Sequence, residues 1–274
     1  MSNTKIESRG HRQIPIVCPG HTRPLAEVQF LSIPDDNNDV DESIRTFLVS
    51  ACHDKMPMLR DGTTGDWIGT FKGHKGAVWS CQLDPEGYLA ATASGDFNVK
   101  VWDAITGKDL HTFVHSHIVK TCKFSSNSRF LATGGHEGIL RIFDLRSTFD
   151  NGEDVVTVIP QSPDTSTKIK ISKCIWFHES IVIASGSDGK IRFWNVMKDQ
   201  QTLDSNGILI KTLCVDAEVR DMELSHLKDG RIVLTIAAGD TVSFFYLTFV
   251  NGQMDAKLVK AHKVSIHFRE VSQI

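Results

Sequence analysis

A block of about 40 residues recurs along this chain, and its period restricts the possible folds more than any other feature. The clearest copy opens at Gly73-His74 and closes at Trp102-Asp103. Between these pairs lie three runs with strand character, residues 77–83, 88–94 and 99–102. Turns at Pro85-Glu86-Gly87 and Gly95-Asp96-Phe97-Asn98 separate them, and Ile105-Thr106-Gly107 leads into a fourth run at 108–113. Glycine and proline punctuation between β-branched or aromatic runs is a hairpin signal, so each block reads as a four-stranded antiparallel sheet.

The block repeats with one mark that survives every variation. An acid stands five or six residues before the closing aromatic position, as Asp54, Asp96, Glu137, Asp188 and Asp240. Repeats of this length, bounded by Gly-His and Trp-Asp, mark the blades of a WD40 β-propeller, an all-β fold. The blades are expected at about 21–71, 74–113, 115–160, 167–213 and 215–259. Residues 14–18 are expected to form a strand ahead of blade one that completes the last blade. Residues 261–274 resemble the opening of a sixth blade, and 1–13 read as a disordered tail. Polar connections are expected at 146–168, with an outer strand near 155–159, and at 199–207.

Charge and cysteine usage remove several function classes. The net charge is −3 with acids and bases interspersed, so no basic field points to direct nucleic-acid binding. The six cysteines form no C-x-x-C pair or zinc-ligand spacing. Cys81, Cys122 and Cys174 share one place in successive first strands, as buried thiols in a reducing compartment would. The first 13 residues contain no apolar signal segment. No apolar run approaches the ~20 residues that span a bilayer. The expectation is a soluble protein of the cytoplasm, with the nucleus as a second location and no membrane insertion.

In blade two, His74, Asp96, Trp102 and a strand hydroxyl (Thr92, or Ser94) suggest a structural hydrogen-bond network. Buried polar groups need partners, and an imidazole between a carboxylate and a hydroxyl supplies them. Such groups recur in blade after blade, whereas catalysis needs one site. His115 and His117 form an H-x-H pair of the kind that binds metals, but His115 already occupies the Gly-His position. No nucleophile elbow or phosphate loop is present, so no catalytic, cofactor or metal residue is assigned and the chain reads as non-enzymatic.

Surface recognition remains. The residue after the first apolar position of each inner strand lies toward one rim of the channel, giving Trp79, Lys120, Ser172 and Arg220. Trp and Arg dominate interface hot spots, so Trp79, Lys120 and Arg220 are candidate partner contacts; packing of Trp79 between blades is the alternative. Residues 35–42 hold five acids and read as a solvated loop in blade one, or as a docking loop for a basic partner.

The strings CPGHTRPLAEVQF (18–30), LVSACHDKMPMLRDGTTGDWIGTFKGHKGAVW (48–79) and HSHIVKTCKF (115–124) closely resemble the serine/threonine kinase receptor-associated protein family. Arg60 at the tryptophan position, followed by Asp66-Trp67-Ile68-Gly69-Thr70-Phe71, is the most specific part. The resemblance is strong over about 14–145 and continues by pattern to about 260. It implies a seven-bladed, non-enzymatic scaffold. Its implied partners are subunits of the survival-of-motor-neuron complex, which assembles spliceosomal ribonucleoproteins, and proteins of the transforming-growth-factor-β receptor pathway, whose signal it damps. The chain departs from that family in the acidic insertion, in the missing Gly-His of blade four and in its early end. Seven blades need roughly 300 residues, so the expectation is five complete blades plus a fragment, incompletely closed, from a truncated form of a seven-bladed parent. The WD-repeat subunit of eukaryotic translation initiation factor three shares the Gly-His-x-Gly-Ala-Val-Trp stretch and is the nearest rival. A propeller hydrolase is a more distant one.

Overall fold

The computed structural model describes residues 16–34, 44–151, 156–161, 168–197, 203–250 and 253–263. Within them lie five four-stranded sheets, each paired antiparallel in sequence order. Blade one contains β1 (Leu25–Pro34), β2 (Ile44–Cys52), β3 (Met58–Asp61) and β4 (Trp67–Thr70). Blade two contains β5 (Val78–Leu83), β6 (Leu89–Ser94), β7 (Asn98–Asp103) and β8 (Asp109–Val114). Blade three contains β9 (Val119–Phe124), β10 (Phe130–Gly135), β11 (Ile139–Asp144) and, after the short helix α1 (Leu145–Asn151), β12 (Val156–Pro160). Blade four contains β13 (Ile171–His178), β14 (Ile181–Gly186), β15 (Lys190–Met197) and β16 (Leu203–Cys214). Blade five contains β17 (Val219–His226), β18 (Ile232–Ala238), β19 (Thr241–Val250) and β20 (Gln253–Lys263). This is the WD40 propeller architecture that the repeat implies. No helix among the described residues is long and apolar enough to cross a membrane.

The polar marks of the repeat shape each blade locally. The aspartate after the closing aromatic position builds the next turn: Asp103 Oδ1 accepts from the Ile105 and Thr106 amides at 2.9 and 2.8 Å. Asp61 does the same for Thr63 and Thr64 at 2.8 Å each. In blade three the equivalent Asp144 accepts from the Arg146 amide at 3.1 Å and so caps α1. That helix stands where a polar connection was expected, with Leu145 buried in the core behind the cap. In blades one to four the residue after the turn acid adopts a left-handed conformation. It is glycine at Gly138 and Gly189, with φ of 77° and 71°, but Lys55 and Phe97 in blades one and two, with φ of 72° and 71°.

Cores lie between the blades. Val49, Leu59, Cys81 and Trp102 join blades one and two. Phe113, Cys122, Leu131 and Phe143 join two and three. Ile142, Ile159, Cys174 and Val182 join three and four, and Ile183, Phe193, Met222 and Ile236 join four and five. The three inner-strand cysteines therefore each face the preceding blade, where a small apolar atom fits. On β1, Leu31 packs toward blade two, while Val28 and Phe30 alternate to the other face and stay 45% and 61% exposed.

Several boundaries differ from the sequence reading. Ile16 to Cys18 form no strand. They cross the β3–β4 turn, close against Gly65, and Ile16 and Val17 stay exposed, so no apolar burial draws them into a sheet. Ala261 and His262 do not open a sixth blade. They lie in β20, opposite Ser243 and Val242 of β19, because the outer strand of blade five runs longer than the repeat suggests. β16 begins at Leu203, inside the expected polar connection, and shifts in its register with β15 accommodate the extra residues. The expected tail at 1–13, the acidic loop at 35–42 and residues 264–274 lie outside the described residues.

Blade four shows what a missing element of the repeat costs. Ala184 pairs with Cys174 at the register where Thr92 pairs with Cys81, so no hydroxyl reaches the closing indole. Trp194 Nε1 is buried with no hydrogen-bond partner. In blade three the same position is Phe143, which has no N–H to satisfy. Removing an orphan donor with little change of shape is close to neutral. Trp194→Phe is therefore expected to change the unfolding free energy by less than about 1 kcal/mol, checked by urea denaturation. A loss well beyond that would show that the N–H finds a partner in solution.

Candidate interaction surface around the channel

Blade two brings its four network residues together. His74 Nδ1 is 2.9 Å from Asp96 Oδ2, and Nε2 is 2.7 Å from Thr92 Oγ1. Trp102 Nε1 donates to the same Thr92 oxygen at 2.8 Å. One arrangement of hydrogen bonds satisfies all of them: indole N–H to hydroxyl, hydroxyl to Nε2, Nδ1–H to carboxylate. Burial opposes ionisation of Asp96. Donation from His74 and from the Lys75 amide at 2.7 Å outweighs it and holds the carboxyl well below its usual range. Ser94 instead donates to the Gly76 and Ala77 carbonyls.

The other blades keep parts of this chain. In blade one, His21 joins Asp54 and Ser50 at 2.8 Å each. Cys52 brings its sulfur within 4.8 Å of the His21 and Asp54 ligand atoms, but its thiol donates to the Arg23 and Pro24 carbonyls. In blade three the acid is one methylene longer. Glu137 turns to Ser116 and to Arg141, 2.7 Å from Nε, and leaves His115 with Thr133 at 2.9 Å and the Phe113 carbonyl. The H-x-H pair does not converge: His115 is buried, whereas His117 is exposed and lies beside His136, the two rings tilted with centroids 5.4 Å apart.

Burial, with Arg141 nearby and opposed by Glu137, lowers the His115 pKa from 6.5 to about 4. The unfolded chain therefore binds a proton at His115 between pH 6.5 and 4 that the folded chain refuses. Stability contributed by the neutral ring is complete above 6.5 and is lost as pH falls toward 4. His115→Gln is expected to flatten that limb of the stability–pH profile; an unchanged slope would contradict it.

The channel contains a charge cluster that the repeat does not reveal. Glu27 of β1 reaches inward, where its Oε1 lies 3.2 Å from Lys123 Nζ of β9 and 2.8 Å from Lys173 Nζ of β13. Its Oε2 accepts from the Cys81 amide at 3.0 Å. One carboxylate thus ties blade one to blades two, three and four. Burial works against its charge, but Lys123 and Lys173 reverse that and bring its pKa down to about 2. The signal was available only as charges set between small or apolar residues, Ala26-Glu27-Val28, Cys122-Lys123-Phe124 and Ser172-Lys173-Cys174, but only the packed blades show that these three meet. Burial also pushes the Cys122 and Cys174 thiols up to about 12 and about 11, so neither is a nucleophile near neutral pH. A cavity of about 800 Å³ opens beside this cluster, with Gln29, Trp176, His178 and Asp221 among its lining.

At the rim, Trp79 is half-buried between neighbouring blades. Lys120 Nζ lies 3.1 Å from its ring centroid, a cation–π contact, and His53 of blade one meets it edge-on at 4.4 Å. Burial, with Lys173 adding to it and Glu218 opposing, lowers the Lys120 pKa to about 8. Trp79 therefore both packs between blades and presents a surface. Arg220 is exposed on β17, two blades further on, and joins neither contact. Ser172 Oγ donates to Glu218 at 3.1 Å.

The chain is similar in sequence to known proteins. The repeat family described as WD domain, G-beta repeat, matches residues 65–103, 107–144 and 156–195. The serine-threonine kinase receptor-associated protein of Dictyostelium discoideum is 40% identical over 231 residues, 84% of this chain and 70% of its own length. The chain belongs to the serine-threonine kinase receptor-associated protein family. The Homo sapiens member is 40% identical over 233 residues, 85% of this chain. The chain spans 59% of the length of that relative. Similarity to eukaryotic translation initiation factor 3 subunit I of Drosophila willistoni is lower, 29% over 239 residues. Arg60, at the tryptophan position of blade one, is 2% exposed. Its guanidinium donates to the Gly65 carbonyl at 3.2 Å and to that of Pro19. It fills the place of the indole in blade one with several donors instead of one. WD40 β-propeller scaffolds are generally non-enzymatic.

Proposed function

We propose that this chain is a non-enzymatic adaptor whose partners dock on the channel rim around Trp79. The observation that carries this reading is the half-buried indole held under Lys120: a rigid aromatic beside a cation, the composition of an interface hot spot. Family membership supports protein partners. The proposed ones are subunits of the survival-of-motor-neuron complex, in spliceosomal ribonucleoprotein assembly, and proteins of the transforming-growth-factor-β receptor pathway, where the chain dampens the signal. The relatives' own name, receptor-associated, agrees with the second. The proposed location is the cytoplasm, with the nucleus second.

Affinity purification of the tagged chain followed by mass spectrometry tests this. Motor-neuron complex subunits or receptor-pathway proteins are expected. Trp79→Ala is expected to lower their yield roughly tenfold, the loss of about 1.4 kcal/mol at one hot spot. Recovery of translation-factor subunits in their place would overturn the assignment. A Trp79→Ala variant that melts early yet captures partners normally would assign the ring to the core.

A further inference from the structure

Blade one departs from the repeat at two positions that together change what its histidine and turn acid can hold. The first is Cys52, which pairs with Leu25 where the inner strand begins. Ser94, Gly135, Gly186 and Ala238 occupy that register in blades two to five, so blade one alone sets a thiol there. The ligand atoms of His21, Cys52 and Asp54 lie within 4.8 Å of one another, the one such group among the described residues. The second departure is Arg60. In blade two the Trp102 indole donates to Thr92, so the Thr92 proton goes to His74 Nε2 and Asp96 accepts from Nδ1. Arg60 stands in place of that indole and donates to the Gly65 and Pro19 carbonyls. Ser50, the counterpart of Thr92, donates to the Met58 carbonyl at 3.3 Å. Its oxygen is then the acceptor for His21 Nε2–H at 2.8 Å. That leaves the Nδ1 lone pair facing Asp54 Oδ2, also at 2.8 Å. Two acceptors this close repel unless a positive centre lies between them. The two side chains are only 10% and 7% exposed, so water does little to screen them.

We propose that His21 Nδ1, Asp54 Oδ2 and Cys52 Sγ bind a zinc ion that fastens the segment ahead of β1 to the end of β2. The site goes beyond the adaptor reading and does not rest on it. An imidazole, a carboxylate and a thiolate suit zinc, whereas calcium and magnesium take oxygen ligands. Zinc bond lengths place tetrahedral ligand atoms roughly 3.2–3.7 Å apart, so Nδ1 and Oδ2 open by less than about 1 Å and the sulfur closes by about 1 Å. Water takes the fourth position. Supporting contacts are in place: Ser50 fixes the ring from Nε2, and the Thr22 and Met56 amides hold the Asp54 carboxylate at 3.1 and 3.0 Å. The Asp54 amide points at the Cys52 sulfur at 3.4 Å, a donor that a thiolate accepts. Without metal the thiol donates to the Arg23 and Pro24 carbonyls. On binding, the S–H bond breaks, the Zn–S bond forms and the proton leaves to solvent.

The test uses the full untagged chain carrying Cys18→Ser and Cys214→Ser, which removes the two exposed thiols. After treatment with a chelator it is titrated with cobalt(II), whose thiolate complexes absorb in the near ultraviolet. A charge-transfer band that saturates at one ion per chain and is displaced by zinc is expected, together with a rise in the thermal midpoint when zinc is added. Cys52→Ser in this background is expected to abolish the band and the zinc-dependent rise. It is expected to fold, because blade two already carries Ser94 at that register and its hydroxyl donates to the corresponding carbonyls. Ser50→Ala is expected to weaken zinc binding by roughly tenfold through the lost support of the ring, and it decides the matter if Cys52→Ser melts before it can be titrated. A purely structural hydrogen bond at Ser50 would lower stability and leave metal affinity unchanged. Absence of the band from the Cys18→Ser, Cys214→Ser chain, or an equal band after Cys52→Ser, would overturn the site. Zinc affinity unchanged by both replacements would overturn it as well.

Discussion

Glu27→Ala is expected to lower the unfolding free energy by roughly 3–5 kcal/mol, the usual cost of removing one partner from a buried ion pair. The side chain of Glu27 is 11% exposed, and those of Lys123 and Lys173 are 14% each, so water does little to compensate. Two ammonium groups would be left facing each other across the channel, and the Cys81 amide would lose its acceptor. Because Glu27 ties blade one to blades three and four, with which it shares no core, the loss is expected to appear as reduced cooperativity as well as a lower denaturation midpoint. The pH dependence follows from the lowered pKa. The unfolded carboxyl titrates near 4.5 and the folded one near 2, so the contribution is complete above about pH 4.5 and is lost as pH falls toward 2. Glu27→Gln should remove that acid limb. Adding Lys123→Met to Glu27→Ala should recover part of the loss, since an apolar replacement for a buried ion pair is often neutral or stabilising. A Glu27→Ala variant with the parental urea midpoint would show that the lysines reach water and the triad contributes nothing.

His74→Ala carries the second large effect, roughly 1–3 kcal/mol, from unsatisfied buried partners. Asp96 would keep the Lys75 and Asn98 amides but lose the imidazole, and the Thr92 proton would have no acceptor. His115→Ala provides an internal comparison. Its ring touches no carboxylate, because Glu137 has turned to Ser116 and Arg141, so a smaller loss is expected there. Urea denaturation of both variants, with unchanged m values, measures the difference. If the two variants lose equally, the carboxylate in blade two adds nothing to the network. If neither loses anything, the network is not holding the blades.

Sequence alone determined the features that repeat. A period near the length of one blade, an acid at a constant distance from the closing aromatic and turn residues between strand-forming runs describe every blade with only local information. Backbone pairing inside one hairpin sheet needs little else. His74, Thr92, Asp96 and Trp102 were legible together for the same reason: they lie within one blade, on strands whose register the turns dictate. The resemblance to the receptor-associated family was equally local, carried by Arg60 and the strand after it. Tertiary structure decided what depends on contact between blades. Glu27, Lys123 and Lys173 are far apart in sequence and belong to no repeated position, so nothing local says that their charges meet. The same holds for Trp79, which only the approach of blades one and three places between His53 and Lys120. It holds for the orphaned Trp194 N–H, which reflects the substitution of Ala184 on a neighbouring strand. The ends of the array also lay beyond local reading. Ile16 to Cys18 have strand-forming side chains but no sheet edge to join, and His262 continues β20 because β19 is long enough to pair with it. A strand exists where a partner strand and an apolar face await it, and those are properties of the assembled blades.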